Sequence, residues 1–139
     1  MALVVAPDVE QIVADYLRNH EDVRAVVTRV VSRTPASTET PWVRWVQIDD
    51  WDQARPANHF RGYLLQFDCY AGSDNSRETA SLIARTVIAA LCAMSGRTLR
   101  GATIADATAS ASRIPDDRVG DPPRERYIVT ATVYAHGPI

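Results

Sequence analysis

The side chains most able to do chemistry are the aspartates of two polar segments. Asp49, Asp50 and Asp52 surround Trp51 in the first segment. The second segment carries three more carboxylates, at Asp116, Asp117 and Asp121. Clustered carboxylate oxygens are the ligands that Ca²⁺ prefers. The spacing lacks the EF-hand pattern and its turn glycine, and aspartates are common in surface turns, so a solvated acidic loop is favoured over a cation site.

Histidine-based and nucleotide-based catalysis find no support in the sequence. His20, His59 and His136 are scattered along the chain. Catalytic sites need a nucleophile, a base and an orienting group, or clustered ligands. The chain has no GxSxG, P-loop or HExxH motif and no GxGxxG after a strand. The residues therefore supply no catalytic constellation and no nucleotide-binding motif.

Three tryptophans, Trp42, Trp45 and Trp51, offer aromatic surface for stacking on nucleic-acid bases or for packing against protein. All 15 basic residues are arginine, the formal net charge is −2 and the pI is about 5.9. Nucleic-acid-binding domains usually carry a basic surplus. Packing or a subunit interface is therefore the favoured role of the tryptophans.

The clearest local structure is a strand followed by a long helix. Apolar residues alternate with Gln66 and Asp68 from Tyr63 to Ala71, which is the pattern of a strand with one buried face. Asn75 and Glu78 are placed to cap a following helix. Helical spacing of apolar residues predicts a helix from Asn75 to Ser95, which ends at the capping residue Gly96.

The other elements follow from the same two periodicities. A first helix begins after the N-cap Asp8 and ends near Asn19 or His20. Four further strands are predicted, at Val26 to Arg33, Trp42 to Ile48, Arg100 to Arg113 and Glu125 to Ala135. Because two helices with one apolar stripe each cover one sheet face, we expect an α+β fold. The prediction is an antiparallel sheet with two helices packed on one face, in the order α-β-β-β-α-β-β.

A length of 139 residues indicates one domain, residues 1–139. Its 46% hydrophobic residues are enough for a core without disulfides or metal. Cys69 and Cys92 are predicted to be buried, inert thiols. The sequence shows no signal peptide and no apolar run long enough to cross a membrane. We therefore expect synthesis in a cytoplasm and no membrane partner.

The segments Pro7 to Leu17, Val23 to Val30 and Pro41 to Trp45 resemble tail terminator (tail completion) proteins of long-tailed bacteriophages. The strand Leu65 to Ala71, its following helix start and the closing strand Arg126 to Val133 are similar to the same family. The resemblance covers nearly the whole chain. The segment from Asp49 to Arg61 is its poorest match.

The resemblance implies a virion structural protein of the tail and neck, made in the host bacterial cytoplasm. It implies no enzymatic activity and no cofactor. It implies a homo-oligomer, a hexameric ring, that caps the tail tube and stops tube polymerisation. The ring would bind tail-tube protein on one face and head-closure or connector proteins on the other. DNA would only pass through its lumen.

The two faces of such a ring are predicted on the loops Asp49 to Arg61 and Pro115 to Glu125. The predicted interface residues are Trp42, Arg44, Trp51, Arg55, Phe60, Arg61, Arg118, Asp121 and Arg124. Two alternatives stay open. One is another neck component, such as a head-closure or adaptor protein, and the other is a small ligand-binding or enzymatic α+β domain, which needs a pocket with convergent polar groups.

Overall fold

A computed structural model describes residues 7–35, 39–50, 61–73, 76–117 and 124–137, with the backbone alone at 47–50, 61, 115–117 and 124. Helices and strands alternate irregularly along this part of the chain. The helices are α1 (Val9–Asn19), α2 (Glu21–Val26) and α3 (Arg77–Cys92), and the strands are β1 (Arg29–Val31), β2 (Trp42–Asp50), β3 (Arg61–Tyr70), β4 (Thr98–Leu99), β5 (Ala102–Asp117) and β6 (Arg124–His136). The α+β class is confirmed, whereas α2 and β4 are additions to the predicted order.

All the strands belong to one mixed sheet in the order β1-β2-β3-β6-β5-β4. β1 runs parallel to β2, and the other neighbours pair antiparallel. The expectation of an entirely antiparallel sheet is therefore wrong at this edge. A parallel pair requires the connection to return along the length of the first strand. Because β1 has only three residues, ten connecting residues, 32–41, can span that distance.

The first helix forms as its sequence predicts. The Asp8 side chain accepts a hydrogen bond from the Gln11 amide at 3.1 Å and caps α1. The apolar stripe of α1 is buried at Val9, Val13 and Leu17. Burial of this stripe against the sheet stabilises the helix more than intrinsic propensity does.

The segment after α1 differs from the prediction of a turn and a strand. The His20 ring accepts a hydrogen bond from the Asp22 amide at 3.1 Å and caps α2. Glu21 and Asp22 lie in the first turn of α2 and Arg24 in its last, which suits the helix dipole. These end effects outweigh the β propensity of the valines, so the predicted strand from Val26 to Arg33 shortens to β1.

The long helix α3 begins at Arg77, two residues after the predicted start at Asn75. Its N-cap is Ser76, whose hydroxyl accepts from the Thr79 amide at 3.2 Å, so the assignment of Asn75 as the cap is wrong. The helix ends at Cys92 and a turn follows. Gly96 has a φ of +82° in that turn and its amide donates to the Ile104 carbonyl at 2.7 Å.

The last two strands make the longest hairpin of the described chain. β5 and β6 pair from Thr103 opposite His136 to Asp117 opposite Arg124. β5 therefore continues beyond Arg113, into part of the segment predicted to be a charged loop. The short β4 precedes β5 and joins it through a two-residue turn with positive φ at both positions.

The helices and the inward side of the sheet share one buried core. Val13 of α1 and Ile83 of α3 belong to the same cluster as Phe67 of β3 and Val129 of β6. Val23 of α2 also joins it. The apolar periodicities of the helices and strands therefore converge on one layer between them.

The two long connections leave opposite ends of the sheet. β2 ends where Asp50 pairs with Tyr63, close to the start of β3. β5 ends where Asp117 pairs with Arg124, at the start of β6. Because β3 and β6 are antiparallel neighbours, their starting residues lie at opposite ends of the sheet.

Candidate assembly surface

Trp42 and Arg44 are the predicted interface residues whose side chains are described, and both lie on β2. Arg61 begins β3 and Arg124 begins β6, each with a described backbone. The remaining predicted residues lie outside the described part of the chain: Trp51, Arg55, Phe60, Arg118 and Asp121. The structure therefore brings Trp42 and Arg44 onto one strand and leaves the loop residues as predictions.

Trp42 and Arg44 lie on the side of the sheet that faces away from the helices. Val43, between them, belongs to the core cluster, and successive strand side chains point to opposite faces. The register places Trp42 opposite Tyr70 and Arg44 opposite Asp68. We call this side the outer sheet face and define it by six residues: Trp42, Arg44, Gln66, Asp68, Tyr70 and Arg126.

Asp68 is the buried anion of the outer sheet face, with 1% of its side chain exposed. Arg44 donates to its Oδ2 through Nη2 at 2.6 Å and through Nε at 3.1 Å. Gln66 donates to its Oδ1 at 2.8 Å. The Arg126 guanidinium lies 3.9 Å from Oδ2. Both carboxylate oxygens thus have donors, and the group ties together β2, β3 and β6.

The sequence contained only part of the signal for this ion pair. The alternation in β3 places Asp68 away from the core, but Arg44 is 24 residues earlier in the chain. Only the strand register brings Arg44 opposite Asp68. A carboxylate between apolar residues on a strand was therefore detectable, and its cationic partner was not.

The aromatic surface of Trp42 is used within the chain. Its ring stacks on Tyr70, with centroids 4.1 Å apart and an interplanar angle of 13°. Trp42 is 4% exposed and Tyr70 is 1% exposed. Farther along β2, Val46 is 45% exposed. In the single chain, Trp42 stabilises the outer sheet face, and Val46 is a large apolar side chain that the described part of β2 presents to solvent.

The two cysteines lie in different environments. Cys69 is buried in the core, and burial raises the pKa of its thiol well above the usual range, with the Asp68 carboxylate acting in the same direction. Cys92 is exposed at the end of α3. The expected burial is confirmed for Cys69 and is wrong for Cys92, because Cys92 lies off the buried stripe that continues from Leu91 to Met94.

An open groove of about 410 Å³ lies between α1 and the turn that joins β4 to β5. Asp15 in this groove accepts from Arg18 at 2.8 Å and from Arg100 at 2.6 Å. Burial raises the pKa of the Tyr16 phenol, and the nearby Arg97 opposes that shift. Because Asp15 is committed to two cations, it does not have the character of a general base.

Within the described residues, no group of three or more His, Cys, Asp or Glu side chains is arranged to hold a metal ion. The aspartate cluster predicted from the sequence falls at positions whose side chains are not described, so the cation hypothesis stays untested. In the same part of the chain, no helix combines the length and apolar character needed to cross a membrane.

The chain matches a tail completion family in sequence and a chain of a virion particle in fold. A family model described as tail completion protein gp17 matches residues 11–134. A chain in the solved virion of a native gene transfer agent particle has the same fold with a TM-score of 0.68, at 15% sequence identity. That similarity covers 92% of this chain and 94% of the other. No curated protein sequence matches the chain.

Proposed function

Because the chain belongs to the tail completion protein gp17 family, we propose that it forms a ring that caps the tail tube, stops tube polymerisation and offers the surface for head docking. A structural role in a phage-like tail follows from the family itself. What supports the finer function is the extent of the family match, which runs from α1 to β6 and so takes in nearly the whole described fold.

The proposed ring contains six copies of the chain. One face binds tail-tube protein and the other binds head-closure or connector proteins. DNA passes through the lumen, and the net charge of −2 suits passage without retention, because affinity for phosphates comes mainly from basic contacts. A lumen lined by arginines would contradict this part of the proposal.

A terminating ring needs two different faces, because one must bind the end of the tube and the other must not bind a further ring of tube protein. The two long connections of this chain leave opposite ends of the sheet. If the strands run roughly along the ring axis, one connection lies on the ring face toward the tube and the other on the face toward the head. This placement supports the assignment of the loops Asp49 to Arg61 and Pro115 to Glu125 to opposite ring faces.

The experiment for this function is a native mass measurement on the protein alone and with purified tail-tube protein. We expect a hexamer, or a subunit that becomes a six-fold ring on tube ends and stops their growth. A stable monomer that neither binds tubes nor stops their growth would contradict the proposed capping function. Binding to portal-side proteins in place of tubes would indicate a head-closure or adaptor protein.

Paired loop variants test the two-face assignment. Trp51→Ala with Phe60→Ala changes one loop, and Arg118→Ala with Asp121→Ala changes the other. Loss of buried aromatic anchors typically costs about 2–4 kcal/mol of binding. We expect each double variant to lose one of the two partners, tube or head, and to keep the other. Normal binding of both partners by both variants would exclude the loops from the interface.

A further inference from the structure

β5 has a long side that no described strand covers. β4 pairs with β5 only at Ala102 and Thr103, although β5 continues to Asp117. The side chains of Ser110 and Ala111, farther along, are exposed. An unprotected strand edge presents free backbone donors and acceptors to another chain, and natural proteins usually shorten, charge or cover such an edge.

The hydrogen bonds near the start of this edge show which amides point outward. The Ala107 amide donates to the Ser95 hydroxyl at 3.0 Å and so points away from β6. Amides alternate between the two sides of an antiparallel strand. The amides of Ala109 and Ala111 therefore also point away from β6, whereas the amide of Ser110 points toward it.

The opposite border of the sheet has a second free edge. β1 pairs with β2 only from Trp42 to Arg44, while β2 continues to Asp50. Beyond Arg44, the described residues give β2 no neighbour on that side. Successive pairings through β3 and β6 are antiparallel, so β2 and β5 run in opposite directions.

We propose that the free edge of β5 pairs antiparallel with the free edge of β2 in a second copy of this chain. The idea rests on the proposed ring, because it names the contact that joins neighbouring subunits. Each copy offers one edge of each kind, so the same contact repeats head to tail, and it generates a ring when the rotation between neighbouring copies closes. Side chains project from the faces of a sheet and not from its edge, so the added strand is held through main-chain hydrogen bonds.

In this arrangement the sheet edges and the two long connections have separate roles. The sheet edges point toward neighbouring subunits, and the two long connections point along the ring axis. Lateral joining through the backbone leaves the loops available for the tube and the head. The contact depends on main-chain hydrogen bonds, so it tolerates changes of the side chains more readily than the loss of an amide.

Two single proline variants distinguish an effect on the proposed contact from an effect on folding. Ala111→Pro removes an outward amide, which a strand edge tolerates, whereas Ser110→Pro removes an amide that pairs with β6. We expect Ala111→Pro to keep a melting temperature close to that of the wild type and to need at least a tenfold higher concentration for half-assembly. Ser110→Pro should lower the melting temperature markedly, and Ala111→Thr should assemble normally.

Hydrogen exchange on the unmodified protein gives a second readout, which holds even if Ala111→Pro fails to fold. We expect the amides of Ala109 and Ala111, and outward amides of β2 beyond Arg44, to exchange quickly in the free subunit. They should exchange at least tenfold more slowly in the ring. The Ser110 amide should be protected in both states.

The outcomes separate this inference from the proposed function. Rings that form normally with Ala111→Pro, or that leave the outward amides unprotected, overturn the edge contact while the capping function stands. A wild-type protein that forms no ring, alone or on tube ends, overturns the capping function itself. Protection of β5 without protection of β2 overturns the assignment of β2 as the partner strand.

Discussion

Asp68 holds a buried negative charge between Arg44 and Arg126. Asp68→Asn keeps the size of the side chain but removes the negative charge that both guanidinium groups face. Arg44 is partly exposed to water, which reduces the penalty. We expect the free energy of unfolding to fall by about 2–3 kcal/mol, as measured by urea denaturation, because breaking a buried ion pair leaves an uncompensated charge.

The control for Asp68 is the exposed pair of Arg77 and Glu78, in which the Glu78 side chain is 77% exposed. Exposed ion pairs contribute little to stability. Glu78→Gln should therefore leave the urea midpoint almost unchanged. Equal effects of Asp68→Asn and Glu78→Gln would mean that the charge of Asp68 has no structural role.

Two glycines with positive φ differ in the space around them. A Cβ on Gly72 would lie 2.6 Å from the Glu39 carbonyl oxygen and 3.0 Å from the Pro41 nitrogen, whereas a Cβ on Gly96 would meet nothing within 4 Å. We expect Gly96→Ala to lower the free energy of unfolding by about 1 kcal/mol through backbone strain alone. Gly72→Ala should lower it by about 3 kcal/mol or more, because backbone atoms must also move.

Thermal or urea unfolding of both alanine variants checks this ordering. The matched substitution holds the lost glycine entropy and the sign of φ constant. The difference between the two variants therefore reports the close approach of the chain at Gly72 to the segment before β2. Equal destabilisation would contradict that close approach.

At the scale of single elements, the Ser76 cap is a specific claim about α3. Its hydroxyl accepts from the Thr79 amide at 3.2 Å. Ser76→Ala should lower the free energy of unfolding by about 1 kcal/mol, because one amide of the first turn loses its acceptor. Ser81→Ala, inside the same helix, removes the same hydroxyl without affecting a cap. A larger loss for Ser81→Ala in urea unfolding would exclude Ser76 as the N-cap.

The elements that could be predicted from the sequence are those with long periodic patterns. α1 and β3 each have one apolar stripe and a clear end signal, and the structure confirms both. α2 was missed because Val23 and Val26 favour strands locally, while the His20 cap and the packing of Val23 against the core favour the helix. β4 has only two residues, which is too short for a period to appear.

The candidate surface could be predicted only in part from the sequence. Alternation in β3 separated Asp68 from the core-facing residues, so the outer sheet face could be anticipated. The pairing of Asp68 with Arg44 depends on strand register across a long connection, which local pattern does not contain. Trp42 was expected to face a partner, and in the single chain it already has one in Tyr70.

At the scale of the whole molecule, the sheet separates three sets of contacts. One side packs against the helices, while the other carries the Asp68 ion pair and the Trp42 stack. The strand ends carry the long connections, and at the sheet borders part of β2 and part of β5 have no paired strand among the described residues. A subunit of this kind is suited to head-to-tail repetition about an axis. Contacts through the sheet borders would join it to neighbouring subunits, and they would not use the strand ends, which remain for contacts along the axis.

The thiols test whether the residues form one cooperative unit. A thiol reagent should label Cys92 rapidly and leave Cys69 unlabelled, because burial raises the pKa of the Cys69 thiol and excludes the reagent. Cys69 lies between the sheet and the helices, so in a single domain only global unfolding exposes it. In a Cys92→Ser variant, followed by mass spectrometry, the labelling rate of Cys69 should rise with urea in proportion to the unfolded population. Rapid labelling of Cys69 without urea would show that the sheet separates from the helices while the rest stays folded, and the single-domain prediction would then be wrong.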